Sequence, residues 1–398
     1  MKLFQKLIVA PAALGLLVPS AAFAEEIKLA DISNYSSSKE VKSISDFDHA
    51  EEIAVTNSRV DGLESRFNDF EAGGFSDTTT MSGTAAFLVG AEAKDGDAGE
   101  AAMFEYFYEV DLNTSFTGED KLNIEFETGN ASGSGVGATT DYGSGNADAL
   151  KITDVNYSFP VGEWSLAVGE SMDASKTWPN ACAVSNMVDS LGDCGAGNSV
   201  DLSGDVSFSA SRAFGDGWEL GLGISADSGE TTRGAFTKEG DDMYGVALGY
   251  ETETYGFTVA YSLKEKTDTT GGTSATAWDA GDTQTDSTYY GLVGYYSPES
   301  TPITFSGGIE LTDVEGTDTD KTQWTLGLST ELGEGTLAAT VGTDGAIADN
   351  AEERMAYDVS YEYPINDSMS VTPFAYIVEQ SGTTDDTTGI GAAVSFSF

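Results

Sequence analysis

From about residue 80 to its C-terminus this chain alternates apolar and polar residues with a period of two, which leaves it few possible folds. In the stretch Phe104 to Leu112, one parity reads Phe, Tyr, Tyr, Val, Leu, and the other carries Glu105, Phe107, Glu109 and Asp111. Leu122, Ile124 and Phe126 alternate with Asn123, Glu125 and Glu127. Trp218, Leu220, Leu222 and Ile224 alternate with Glu219, Gly221, Gly223 and Ser225, and Tyr357, Val359, Tyr361 and Tyr363 with Asp358, Ser360 and Glu362. Successive side chains of a strand point to opposite faces. Each segment therefore predicts a strand with one apolar face and one wet face.

Alternation alone also fits a soluble sandwich. Three features favour a barrel that crosses a membrane. First, the connections alternate between short and long. Short turns fall near residues 118–120, 160–162, 215–217, 253–254, 298–300, 333–335 and 365–367; longer Gly/Asp/Thr-rich loops fall near 93–100, 130–147, 171–199, 228–239, 265–285, 313–320, 343–351 and 380–387. Seven turns and eight loops join sixteen strands, with both barrel ends on the short-turn side, as in outer-membrane barrels. Second, the polar parity is rich in small and acidic residues, which suits a water-filled interior. Third, Phe116, Phe159, Trp164, Phe214, Trp218, Tyr250, Tyr255, Tyr295, Tyr296 and Tyr363 lie beside the short turns, where an interfacial girdle belongs. The expected fold is all-β: a transmembrane antiparallel β-barrel of about sixteen strands spanning 75–398, wide enough to hold an aqueous channel.

Ahead of the barrel, residues 1–24 read as a signal peptide. Lys2 and Lys6 supply its positive end, Leu7 to Val18 its apolar centre, and Ala22-Phe23-Ala24 its cleavage site. Residues 25–49 read as a polar, Ser-rich periplasmic linker. Over 50–74 the period changes: Ile53, Val60, Leu63, Phe67 and Phe70 are spaced 7, 3, 4 and 3 apart, a heptad seam ended by Gly73 and Gly74. This predicts a short, coiled-coil-like periplasmic helix, which either pairs copies of the chain or packs on its own barrel, the first being favoured.

Charge and composition narrow the function. The chain has 18 Lys+Arg against 66 Asp+Glu, a formal net charge of −48. It has nothing with which to neutralise a phosphate backbone, so nucleic acid is excluded as a partner, and an anionic membrane surface would repel it. The single His49 lies in the leader, outside the barrel. Barrel enzymes that rely on a catalytic His are thereby disfavoured, and no enzyme activity, metal or cofactor is expected. The acidic loop Asp313 to Asp320 lacks the spacing of an EF-hand and reads as solvated rather than as a Ca²⁺ site. Cys182 and Cys194 enclose 11 residues of a chain expected to leave the cytoplasm, where disulfides persist. They are expected to pair.

The longest loop, 171–199, is the third long one. By resemblance to general porins it is expected to fold into the barrel and narrow it, with Asp173, Lys176, Trp178, Asp189 and Asp193 at the constriction; the alternative is a cap over the mouth. The polar parity places Glu105, Glu109, Asp111, Glu125, Glu127, Glu219, Glu310, Glu331, Asp358 and Glu362 towards the lumen. Rings of charge set the ion preference of a pore, so the expected function is a cation-leaning passive channel for small hydrophilic solutes and ions. A sugar-selective pore needs aromatic tracks, for which Phe107 and Trp178 are the visible candidates. A plugged structural or adhesive barrel is a further alternative. Arg212 falls on the apolar parity near a short turn, and either snorkels to the interface or turns inward through a bulge.

The opening Met1-Lys2-Leu3-Phe4, the phrase Val41-Lys42-Ser43-Ile44-Ser45-Asp46-Phe47, the heptad Val60-Asp61-Gly62-Leu63-Glu64-Ser65-Arg66 and the run Phe75 to Gly83 resemble the outer-membrane porins of cyanobacteria, those of marine picocyanobacteria most closely. That family is related to the carbohydrate-selective porins. The terminal Ile390, Ala392, Val394, Phe396 and Phe398 resemble the last-strand signature of bacterial outer-membrane proteins. The resemblance implies a homotrimer in the outer-membrane bilayer with a periplasmic N-terminus. Family members usually carry an S-layer homology domain after the Ser-Ile-Ser-Asp-Phe phrase. Here the chain passes almost directly from Phe47 to the heptad, which argues against tethering to peptidoglycan.

Overall fold

The computed structural model describes residues 78–94, 101–131, 135–143, 146–226, 235–236, 242–265, 286–315, 320–382 and 386–398. The expected signal peptide, linker and heptad helix lie outside the described residues. Residues 74–398 form one compact unit.

Within it the strands are β1 (Thr79–Ala93), β2 (Ala102–Thr114), β3 (Lys121–Gly129), β4 (Lys151–Val161), β5 (Trp164–Glu170), β6 (Val206–Phe214), β7 (Trp218–Ala226), β8 (Asp242–Glu251), β9 (Tyr255–Lys264), β10 (Ser287–Tyr296), β11 (Ile303–Val314), β12 (Lys321–Leu332), β13 (Gly335–Thr343), β14 (Ile347–Ala348), β15 (Met355–Asn366), β16 (Met369–Val378) and β17 (Thr387–Ser397). β14 is a two-residue piece that pairs with the start of β12, so part of the loop expected at 343–351 is ordered against the wall. The other sixteen strands each pair antiparallel with their neighbours. β1 pairs with both β2 and β17, Leu88 lying opposite Glu105 on one side and Ala393 on the other, so the sheet closes on itself.

A closed sheet has no unpaired edge, the condition for crossing lipid with strands. Its outer face is apolar and open: Val89, Val259, Leu292, Leu326 and Val359 all stand exposed, Leu326 at 57%. No water-soluble core would leave such a belt bare, whereas a bilayer covers it. Aromatics gather at the short-turn end. Trp218 touches Tyr250 and Phe257, Tyr250 touches Tyr255, and Phe159 stacks on Tyr157. Tyr295 departs from the expected girdle. It lies opposite Gly256 on the inner face, and its hydroxyl donates to the Thr252 carbonyl at 2.7 Å. Arg212 keeps the outer parity, opposite Leu220, and ion-pairs with Glu163 beside a short turn.

Short turns close on local hydrogen bonds. In the β2–β3 turn the Asp120 carboxylate accepts from the Ser115 hydroxyl and from the N–H groups of Phe116 and Thr117, all within 2.9 Å. The Tyr157 hydroxyl, donating to the same carboxyl, holds it below the usual carboxylate range, with these turn donors adding to the effect.

Candidate functional site: the lumen and its inward loops

The segment between β5 and β6 lies inside the barrel, where each contact is with an inward-facing wall residue. Its outgoing limb runs along the wall from β4 to β15. The Lys176 ammonium meets Asp154 on β4 at 2.8 Å, and the Thr177 N–H donates to Ser209 on β6. Trp178 lies on β7 and β8, Ala181 N–H donates to Thr258 on β9, and Ala183 N–H to Ser306 on β11. The tip reaches β15, where Asp358 accepts from the N–H groups of Met187 and Val188 at 2.8 and 3.1 Å.

The returning limb begins with Asp189–Gly195, short 3₁₀ turns broken by a kink at Gly192, Asp193 and Cys194, and continues through the single-turn helix α2, Gly197–Val200. Glu310 on β11 accepts from Asn198 and from both the N–H and the hydroxyl of Ser199, at 2.8–2.9 Å. The Cys182–Cys194 disulfide ties the two limbs together midway, and the Ala174 N–H donates to the Leu202 carbonyl at their base.

The seats for this loop are small residues. A Cβ at Gly221 would lie 2.6 Å from Trp178 Cγ, one at Gly245 2.5 Å from the same indole, and one at Gly249 2.5 Å from Pro179. Gly195 has φ +72° and sits so close to Trp324 and Thr325 that a side chain there would meet backbone at 2.7 Å. Only glycine satisfies both conditions at once.

A second loop folds inward as well. Its one-turn helix α1, Val136–Thr139, packs on β1, β2 and β17. Glu105 on β2 accepts from the Gly137 N–H at 2.8 Å, and Glu92 on β1 accepts from the hydroxyls of Thr139 and Tyr376. The two loops then meet. Thr140 forms a β-bridge with Val188, and the Asp141 N–H donates to the Met187 carbonyl at 3.2 Å. Two apolar clusters anchor them. One holds Val136, Met187, Val188 and Leu191 with Leu88, Phe374 and Tyr376; the other holds Trp178, Cys194, Val200 and Leu202 with Met243, Ala260 and Val293.

This arrangement corrects several expected roles. Trp178 was expected at the permeant surface; it is 9% exposed and wedged between loop and wall. Glu105, Glu310 and Asp358 do point inward, but the loops enclose them, Glu310 completely. They hold backbone rather than face the channel. Phe107 packs against the first apolar cluster. Glu219, Glu331 and Glu362 keep the inward parity; Glu331 and Glu362 stand exposed near short turns, and Glu219 is half-buried beside one. Asp189 is exposed at the loop tip.

The wall of β2–β4 carries the densest acid. Glu109 lies directly opposite Glu127, Asp111 opposite Glu125, and Glu125 opposite Asp154. Like charges placed opposite each other cost stability, so this register is not a packing solution. A bulge at Thr153, whose hydroxyl donates to Glu125 at 2.8 Å, shifts the β3–β4 register beside the cluster. Lys121 and Lys151 share the inward face of these strands. Facing this wall, the loop presents its one lysine, Lys176, with Asp173, Asp193 and Asp201 nearby. Burial pushes Asp173 up to about 7 and Asp193 up to about 6, with Asp201 adding to both. Among the described residues, no group of three or more His, Cys, Asp or Glu side chains is arranged to hold a metal ion.

Solved structures with this architecture are outer-membrane barrels. The anion-selective porin of Comamonas acidovorans matches with a TM-score of 0.57 and 13% identity, over 81% of this chain and 99% of that one. OprB of Pseudomonas putida matches with a TM-score of 0.59 and 8% identity, over 81% and 94%. OmpT of Vibrio cholerae, an outer membrane protein in its trimer form, matches with a TM-score of 0.54 and 12% identity, over 81% and 100%. At these identities the likeness is one of fold: the chain has the closed sixteen-strand barrel of bacterial outer-membrane porins. No family model matches the sequence. An uncharacterized protein of Nostoc sp., alr4550, is 35% identical over 127 residues, covering 28% of this chain and 22% of that protein. The chain thus spans about a fifth of the length of the curated relative it matches.

Proposed function

We propose that the protein is an outer-membrane porin, a passive channel for small hydrophilic solutes and ions that favours cations. The observation that carries the reading is the register of β2–β4, which sets Glu109 against Glu127 and Asp111 against Glu125 on the wall facing the loop. A barrel of about sixteen strands is wide enough for water, and carboxylates concentrated on one wall draw cations into it. In this reading Asp173, Lys176, Asp189 and Asp193 border the narrowest passage from the loop side. Trp178 and Phe107 are both packed, which leaves a sugar-selective track without its aromatic platform. No catalytic role is assigned. The N-terminus is periplasmic and the assembly a homotrimer of the cyanobacterial type, on the strength of the sequence resemblance.

The test is the reversal potential of the refolded protein in a planar bilayer under a KCl gradient. A cation-selective conductance supports the reading. An anion-selective or neutral conductance keeps the pore and removes the acidic wall as its selectivity element. The two apolar clusters inside the lumen favour one second reading, a plugged structural barrel, and absence of current from verified folded protein would select it.

A further inference from the structure

We infer that the two inward loops work as one ring, and that Asp358 and Glu310 are positioning residues that set its aperture. The inference rests on the porin reading for its functional consequence.

Three observations carry it. Loop residues 171–205 follow the wall from β4 to β15 and return, so the loop covers most of the circumference by itself. The remaining sector, β15 through β1 to β3, is covered by the α1 loop, whose Asn146 donates to Glu127 on β3. The join between them is the Thr140–Val188 bridge, and the residues forming it are the ones that Asp358 fixes. Asp358 is thus the wall contact nearest the ring's closure. Its carboxylate Oδ2 accepts two adjacent backbone N–H groups, and the side chain is 5% exposed. Glu310 performs the same service for the returning limb at Asn198 and Ser199.

A carboxylate buried against apolar neighbours is expensive, so it persists where it satisfies several donors. Hydrogen bonds from backbone N–H groups to a fixed carboxyl oxygen define the loop's path more narrowly than apolar contacts, which slide. With Asp358 removed, Met187 and Val188 lose their acceptor and the bridge to Thr140 loses its support. The tip then moves independently of the α1 loop.

The experiment uses the full refolded chain and the variants Asp358→Ala and Asp358→Asn, each verified as folded barrel by far-UV circular dichroism. Single-channel conductance and exclusion of neutral polyethylene glycols of graded size are measured, together with amide exchange at Met187 and Val188. Asp358→Ala is expected to raise the conductance, admit larger polymers and accelerate exchange at both amides about ten- to a hundredfold. Asp358→Asn keeps an acceptor and is expected to retain the wild-type aperture, which separates the hydrogen bonds from the charge. Faster exchange with unchanged conductance and polymer cut-off overturns the inference while leaving the porin intact. A silent wild type overturns the porin reading; the ring is then supported if Asp358→Ala opens a current, and overturned if it does not. If Asp358→Ala fails to fold, Glu310→Ala, with Glu310→Gln as the variant that keeps an acceptor, read at Ser199 in the same assays, decides the matter in the same way.

Discussion

Trp178 sits so tightly on Gly221 that a single methyl group there would fall 2.6 Å from the indole Cγ. The contact fixes where the outgoing limb of the inward loop crosses the wall. Gly221→Ala is therefore expected to lift the indole, cost about 1–3 kcal/mol through overpacking and shift Trp178 emission to the red. Denaturant titration of the variant against wild type, with the other tryptophans replaced, checks it. Unchanged emission and midpoint would mean that Gly221 is not the seat of the loop.

The Cys182–Cys194 bridge joins the outgoing and returning limbs across a sequence separation of 12. Closing a loop of that order contributes about 2–4 kcal/mol. The double variant Cys182→Ser, Cys194→Ser is expected to leave the barrel's strand content intact, because neither cysteine belongs to the wall ladder. Amide exchange over residues 183–193 should rise and the single-channel current become noisier. A quiet current with wild-type exchange would show that wall contacts alone fix the loop.

Asp173 and Asp193 give the lumen a pH dependence near neutrality. Their carboxyls are pushed up to about 7 and about 6, first by burial and then by Asp201. Lys176, Asp154, Asp141 and Asp189 also act on one or the other. The folded state therefore holds protons that the unfolded chain has released. Their stabilising effect is full below the ordinary carboxylate range and is lost as pH rises through about 6 to 7. Cation preference runs the other way, because ionisation adds negative charge beside the path. Reversal potentials at about pH 5 and about pH 8 should show weaker cation selectivity at the lower value. Equal potentials would place both carboxyls away from the permeating ion.

Glu125 faces Asp111 on one side and Asp154 on the other. Glu125→Gln relieves both repulsions and keeps the acceptor for Thr153. It is expected to stabilise the barrel by about 0.2–1 kcal/mol while reducing cation selectivity. Opposite movements in stability and reversal potential distinguish a selectivity element from a structural one. A loss of stability would assign Glu125 to the scaffold.

Much of the wall was legible in the sequence. Trp218, Leu220, Leu222 and Ile224 declared the outer face of β7, and the alternation of short and long connections gave the strand count. The inward loops were less legible, for a physical reason. Gly221, Gly223, Gly245 and Gly249 on the inner parity suit a wide wet lumen as well as a seat for a loop. The distribution was the unread signal: acids crowd the inner parity of β2–β4, while glycines crowd that of β7 and β8. Likewise Glu310 and Glu125 are indistinguishable by parity. Parity fixes the face of a side chain, and only the folded loop decides which carboxylate is enclosed and which meets water. Trp178 was misassigned because a loop tryptophan fits a sugar platform or a wedge equally well until its partners are known.

The closing seam has a consequence for how the molecule is built. Gly83 and Phe398 exchange backbone hydrogen bonds at 3.0 and 3.2 Å, so the wall cannot seal until Phe398 has reached β1. Such distant pairings are slow to find. Asp358, which receives the loop tip, comes 171 residues after Met187. The loop is thus made long before its last anchor exists. Its tip can dock only once β15 has joined the wall.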